Sequence, residues 1–193
     1  YTESVTIDKD VAILGANATI AHDGPRSAES TVNGGFEIIA DGVTIDGLQI
    51  SGGRLDYGTQ RSGVFINGAI SGATITNNII AAGSSTEADL RGIIMTYGQN
   101  TASLLVAGNS FTGWVSGMYL NPGVNASSIT NNEFASNGNH INVDDPDSLT
   151  ISANVFGLSE GSKVAVGAMD ANVDLETELG LSGNTYSTDT PPL

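Results

Sequence analysis

The sequence predicts an all-β chain whose short strands stack in parallel as a solenoid. Three observations carry that expectation. A short motif recurs seven times within 193 residues. A second, strand-like register runs between its copies. Glycine is abundant, at 25 residues, and no stretch sustains a helical period, so turns and short strands are what remains.

The motif is an aliphatic residue, an Asn three places on, and an apolar residue two beyond that. It reads Ile75-Thr-Asn-Asn78-Ile-Ile80, Val106-Ala-Gly-Asn109-Ser-Phe111 and Ile129-Thr-Asn-Asn132-Glu-Phe134. It continues as Ile151-Ser-Ala-Asn154-Val-Phe156 and Leu181-Ser-Gly-Asn184-Thr-Tyr186. Upstream, Ile45-Asp-Gly-Leu48-Gln-Ile50 carries Leu in the Asn place, and Leu14-Gly-Ala-Asn17-Ala-Thr19 is a degraded first copy. The copies are spaced by 31, 30, 31, 23, 22 and 30 residues. Such a unit cannot bury its own apolar stripe, but stacked units bury it for one another. The Asn is expected to turn the chain between two strands and to stack its amide in a column over Asn78, Asn109, Asn132, Asn154 and Asn184.

The second register comprises Gly35-Phe-Glu-Ile38, Gly63-Val-Phe-Ile66, Gly92-Ile-Ile-Met95 and Gly117-Met-Tyr-Leu120. His140-Ile-Asn-Val143 and Lys163-Val-Ala-Val166 extend it without the Gly. Alternation places Phe36, Val64, Ile93, Met118, Ile141 and Val164 inward, with Ile38, Ile66, Met95, Leu120, Val143 and Val166 beside them. The residues between must point outward. One outward column is Glu37, Phe65, Ile94, Tyr119 and Asn142; the next is Ile39, Asn67, Thr96, Asn121 and Asp144.

This pattern resembles the right-handed parallel β-helix superfamily typified by pectate lyases, over about residues 4 to 187. The resemblance implies a right-handed parallel β-helix of about seven coils, a cylinder roughly 30–35 Å long at ~4.8 Å per step. Its motif speaks for fold far more than for function.

Composition narrows the partners. Acidic residues number 21 and basic residues 6, for a net charge of −15. A nucleic-acid surface needs clustered Lys and Arg, so nucleic acid is excluded as a partner. No apolar run approaches the ~18 residues of a membrane span, so no membrane insertion is expected. There is no cysteine, hence no disulfide and no thiolate metal site. The chain is long enough for one sizeable core, placed at residues 1–187 as a single domain. Residues 188–193, with Pro191-Pro192, read as a tail or linker. Tyr1 leads directly into the strand-like Val5-Thr6-Ile7, so both ends suggest a module of a larger secreted or cell-surface bacterial protein, and a mature secreted protein would also fit them.

Three features are candidates for chemistry. The first is the outward strip of Phe65, Ile94 and Tyr119 with Asn67, Thr96 and Asn121 beside it. Apolar faces there would stack sugar rings while amides and hydroxyls orient them. Two enlarged loops flank the strip, Ser51 to Arg61 and Ala81 to Arg91. They hold Arg54, Arg61 and Arg91, with Arg54, Tyr57 and Arg91 expected to form one wall. Ordinary ion pairs, Arg54 with Asp56 and Arg91 with Glu87 or Asp89, are the plainer use of those cations. The second feature is the turn Asn142-Val-Asp144-Asp145-Pro-Asp147, whose carboxylates Asp144, Asp145 and Asp147 suit a hard cation such as Ca²⁺. The plainer reading is a solvated turn. The third is His140, one of two histidines with His22, near Asp144 in the sequence.

The resemblance also implies an enzyme, a polysaccharide lyase or C5-epimerase acting on uronic-acid polymers. Such an enzyme needs a base for the C5 proton and cations to neutralise the carboxylate. Arg91, His140 and Asp144 are the residues that match that work, with Arg91 reaching Asp144 across two coils. Other signatures of the superfamily are missing. The Asp-Pro-His-Glu motif of alginate epimerases has no counterpart, since Asp145-Pro146 is followed by Asp147-Ser148. Of the polygalacturonase set only the paired Asp144-Asp145 is present. The expectation is therefore a non-catalytic extracellular module, glycan-binding or adhesive, with a polysaccharide or cell-surface glycan as partner. No cofactor is required, with Ca²⁺ the one candidate.

Overall fold

One aliphatic residue per motif, with its neighbours alternating, sets where strands form and which side they bury. The computed structural model describes residues 1–55, 60–83, 90–158, 164–166 and 179–186, without the side chains of residues 54, 55, 164–166 and 179. Those residues contain strands and turns and no helix.

The strands form three stacks, each of seven rungs. Stack one contains β1 (Thr2–Ile7), β3 (Ser30–Ile38), β7 (Arg61–Ile66), β10 (Leu90–Met95), β14 (Ser116–Leu120), β18 (Asn139–Val143) and β21 (Val164–Val166). Stack two contains β2 (Ala12–Leu14), β4 (Thr44–Asp46), β8 (Thr74–Thr76), β12 (Leu105–Ala107), β16 (Ser128–Thr130), β19 (Leu149–Ser152) and β22 (Leu179–Ser182). Stack three begins with the first half of β3 and adds β5 (Leu48–Ser51), β9 (Ile79–Ala81), β13 (Ser110–Thr112), β17 (Glu133–Ala135), β20 (Val155–Phe156) and β23 (Thr185–Tyr186). The chain visits the stacks in rotation, and every rung pairs in parallel with the next. β3 bridges two stacks because Ser30–Asn33 pairs with β5 while Phe36–Ile38 pairs with β7. β11 (Thr101–Ala102) and β15 (Val124–Asn125) form a small separate pair, and β6 (Arg54–Leu55) lies antiparallel against the start of β7.

The core is three aligned columns. Phe36, Val64, Ile93, Met118 and Ile141 lie in register in stack one. Ile45, Ile75, Val106, Ile129 and Ile151 do so in stack two. Stack three runs Val32, Ile50, Ile80, Phe111, Phe134, Phe156, Tyr186. Its rings stack face to face, with centroids 4.7 Å apart for Phe111–Phe134 and 5.3 Å for Phe134–Phe156 and Phe156–Tyr186. Offset aromatic stacks of this kind add stabilisation beyond the area they bury.

The asparagine column forms as the spacing predicts. Asn109 Nδ2 donates forward to Asn132 Oδ1 at 3.0 Å and back to the Ile75 carbonyl at 2.8 Å. Its Oδ1 accepts from the Asn78 backbone N–H and from Asn78 Nδ2. Asn132 and Asn154 repeat the arrangement, and Asn184 closes it. Each amide therefore ties three rungs together, and Asn78, Asn109, Asn132 and Asn154 are buried with their polar atoms satisfied. At the head of the ladder the Leu48 backbone N–H donates to Asn78 Oδ1.

Two expectations change. The corner itself is made by the residue before each Asn, or before the Leu48 that takes the Asn place: Gly47, Asn77, Gly108, Asn131, Ala153 and Gly183 all have positive φ, between 54° and 71°. Asn17, the degraded first copy, stands outside the ladder. Its Oδ1 instead accepts from the Ser27 backbone N–H at 2.7 Å. It thereby closes residues 15–29 into a strap that passes across the corner column. A β-carbon on Gly47 would run into the backbone of Ala18, so only glycine lets the strap lie this close. Arg26 donates to the carbonyls of Ile20 and Asn77 and pairs with Glu29, while His22 meets Gly108 and stands 3.6 Å from Glu133.

Candidate ligand-binding site

Outward residues of stack one build the site. Pairing aligns the column, with Glu37 opposite Phe65, Phe65 opposite Ile94, Ile94 opposite Tyr119, and Tyr119 opposite Asn142. Phe65 and Ile94 nevertheless are only 3% and 5% exposed, so they offer no open strip. Alternation fixes which way a side chain points and is silent on what lies over it. Asn67 donates to Glu37 at 2.7 Å and accepts from Thr96 Oγ1 at 2.9 Å, while Glu37 also accepts from Thr6. The Asn67 amide is thus engaged within the protein.

Farther along the same face, a hollow of about 440 Å³ is lined by Gln60, Arg91, Ile94, Met95, Thr96, Tyr97, Tyr119 and Asn121. The structure brings together five of the expected residues there: Arg91, Ile94, Thr96, Tyr119 and Asn121. Phe65 and Asn67 lie outside its lining. Tyr57 falls outside the described residues, as do the side chain of Arg54, the carboxylates of Asp56, Glu87 and Asp89, and the tail 188–193.

Tyr119 is the hub. Its hydroxyl donates to Asp144 Oδ2 at 3.3 Å, and the Arg91 guanidinium carbon stands 4.6 Å from the ring centroid, a cation–π contact. Arg91 Nη1 and Asn142 Nδ2 both donate to Ser116 Oγ, at 3.3 and 3.0 Å. Asn121 donates to the Met95 carbonyl, which holds its amide at the rim. One ring face of Tyr119 is taken by Arg91, and among the described residues of the hollow Tyr97, 73% exposed, offers the open aromatic surface.

Tyr97 and Gln60 were not among the expected residues. Tyr97 directly follows the outward Thr96 and precedes Gly98, so an aromatic at the strand's exit was the available signal. Gln60 has no such mark.

The other expected sites are not assembled. Asp145 takes the left-handed corner at φ 47°, Asp144 leans to Tyr119, and Asp147 accepts from Ser148. Among the described residues no three His, Asp or Glu side chains converge to hold a metal. His140 is fully buried beside Phe134 and Phe156, each ring centroid 5.9 Å away. Its Nε2 contacts the Gly157 carbonyl at 3.1 Å and its Nδ1 contacts Asn137 Nδ2 at 3.2 Å. A neutral ring protonated on Nε2 satisfies both contacts. Of Arg91, His140 and Asp144, Arg91 and Asp144 both meet Tyr119, while His140 packs beside Phe134 and Phe156.

No protein-family model, no curated protein and no solved structure matches this chain. Among the described residues no helix is long and apolar enough to cross a membrane.

Proposed function

We propose that the chain is a right-handed parallel β-helix of about seven coils, akin to the pectate-lyase-like superfamily. In this reading it serves as a non-catalytic, extracellular glycan-binding or adhesive module of a larger bacterial protein. Parallel crossovers are right-handed in about 98% of cases, which supports the hand. The observation that carries the binding reading is the hollow in which exposed Tyr97 stands beside Thr96, Asn121 and Gln60. An aromatic platform supplies apolar area, and a few fixed polar groups supply orientation, the division of labour expected of a ligand site.

Titration calorimetry against neutral and acidic oligosaccharides, with and without calcium, tests it. Tyr97→Ala is expected to weaken any binding at least tenfold, about 1.4 kcal/mol, while leaving the fold intact. Affinity unchanged by that substitution sinks the assignment.

The Arg91–Tyr119–Asp144 contact favours a second reading, a polysaccharide lyase or C5-epimerase acting on uronic-acid polymers. A phenol held between a cation and a carboxylate is suited to moving a proton beside a substrate carboxylate. Formation of an unsaturated product from a uronan, abolished by Tyr119→Phe, would put this reading in place of the first.

A further inference from the structure

Stack two pairs in register over all its rungs, and the aliphatic residue of each motif enters the core, so the residues on either side of it face outward. Thr44, Thr74, Ser128 and Thr150 share one outward column. Thr76, Thr130, Ser152 and Ser182 share the other. On β12, in the middle of the stack, Leu105 and Ala107 take these places. The hydroxyls of Thr44, Thr74, Thr76, Ser128 and Thr150 have no hydrogen-bond partner among the described residues, while Ser152 donates to Thr130 at 3.3 Å inside the array. No Lys, Arg or aromatic residue faces outward from this stack. Its one charged member, Asp46, is buried and accepts from the Thr19 backbone N–H and from Asn77 Nδ2. Charged side chains belong on solvated faces, yet a chain with 21 acids leaves this one clear apart from Asp46.

We infer that this face binds ice, with water ordered on its threonine and serine array as the first layer of the crystal. Geometry selects the partner. Successive rungs set side chains about 4.8 Å apart, and the two outward positions of one strand lie about 6.6 Å apart. Rows of oxygen atoms on the prism faces of hexagonal ice repeat at close to both intervals. A hydroxyl both donates and accepts, so it can stand in for a lattice water. The threonine methyls, with Leu105 and Ala107, shed the disordered water that would otherwise separate protein from crystal. A charged side chain would keep its own hydration and break the pattern, which is why the missing charges matter. Each contact is weak, but an array fixed on one sheet makes many of them together. Other partners fit worse: the face offers no ring on which a sugar could stack and no cation for a phosphate. It lies on a different stack from the tyrosine hollow, so the two readings stand or fall separately.

The test is nanolitre osmometry of the intact chain, with its partition into a slowly growing body of ice as the binding measurement. The native chain should hold a faceted seed crystal without growth over a finite interval below the melting point, and should enter the ice where an inert protein is excluded. Thr74→Lys and Ser128→Lys each plant a charged stalk in the array without touching the core. Each should abolish that interval while leaving the circular dichroism spectrum unchanged. Thr112→Lys makes the same change on the outward side of β13 in stack three and should leave the interval intact. A native chain that neither arrests growth nor enters ice overturns the inference, as does an interval that survives both stack-two substitutions. Equal loss in Thr112→Lys would trace the effect to net charge and overturn the assignment to this face.

Discussion

Ala153 holds φ at 54° in a column that Gly47, Gly108 and Gly183 fill on other rungs. A β-carbon in the left-handed region costs roughly 1–2 kcal/mol. Ala153→Gly relieves that cost, against the extra freedom glycine gives the unfolded chain. The expected net is a stabilisation of up to about 1 kcal/mol, read as a higher urea midpoint at unchanged slope. Asn132→Leu acts in the opposite sense. It strips partners from the Asn109 backbone N–H and the Val106 carbonyl, both inside the protein. Each buried polar group so orphaned costs about 1–3 kcal/mol. Asn184→Leu should cost less, because Asn184 is only half-buried at the ladder's end. Equal losses at the two positions would contradict the buried-ladder account. The column was legible from the motif's spacing, but its corner residue was not. Gly, Asn and Ala share no pattern at that place except that each is tolerated in a left-handed conformation.

The strap formed by residues 15–29 carries the clearest pH dependence. The hydrogen-bonded Arg26 guanidinium holds the Glu29 carboxyl below the usual carboxylate range; burial pushes the other way, and Asn17 adds to the lowering. A carboxyl lowered in the folded state stabilises it above the ordinary value, and that stabilisation is lost as pH falls through the lowered one. The melting temperature of the native chain should therefore fall more steeply on acidification than that of Glu29→Gln. Parallel profiles would show that the Arg26–Glu29 pair contributes nothing. Sequence spacing took Leu14-Gly-Ala-Asn17 for a first repeat, yet Asn17 serves the strap. A one-dimensional period cannot tell an amide facing a column from one closing a loop. Phe65 and Ile94 show the same limit in β7 and β10: their direction was legible, but their burial was not. Only part of the candidate site could be read for this reason. Alternation supplied Ile94, Thr96, Tyr119 and Asn121, and the enlarged loop supplied Arg91, whereas Tyr97 and Gln60 enter from connections, where no period operates.

Across the whole molecule, each rung rests on its two neighbours, so stability is close to a sum of neighbour contacts. The rungs are unequal. Ile45, Ile75, Val106, Ile129 and Ile151 are fully buried, whereas Ile13 at one end of the column and Leu181 at the other are only partly so. Phe111, Phe134 and Phe156 are likewise enclosed, while Tyr186 closes its stack partly exposed. Superposed on this gradient is a uniform strain, a net charge of −15 with 6 cations to offset 21 acids. Salt screens such repulsion over a Debye length of about 8 Å at physiological ionic strength, so added salt should raise the melting temperature. The gradient and the strain are separable by native-state hydrogen exchange, which reports opening free energies amide by amide. Protection should peak at the β12 and β16 rungs and decline toward β2 and β22, because an end rung opens by breaking one interface and a central rung by breaking two. Salt should lift all rungs while leaving the order unchanged. Uniform protection from end to end would mean that the stack opens as one unit, and the sum of neighbour contacts would then be the wrong description.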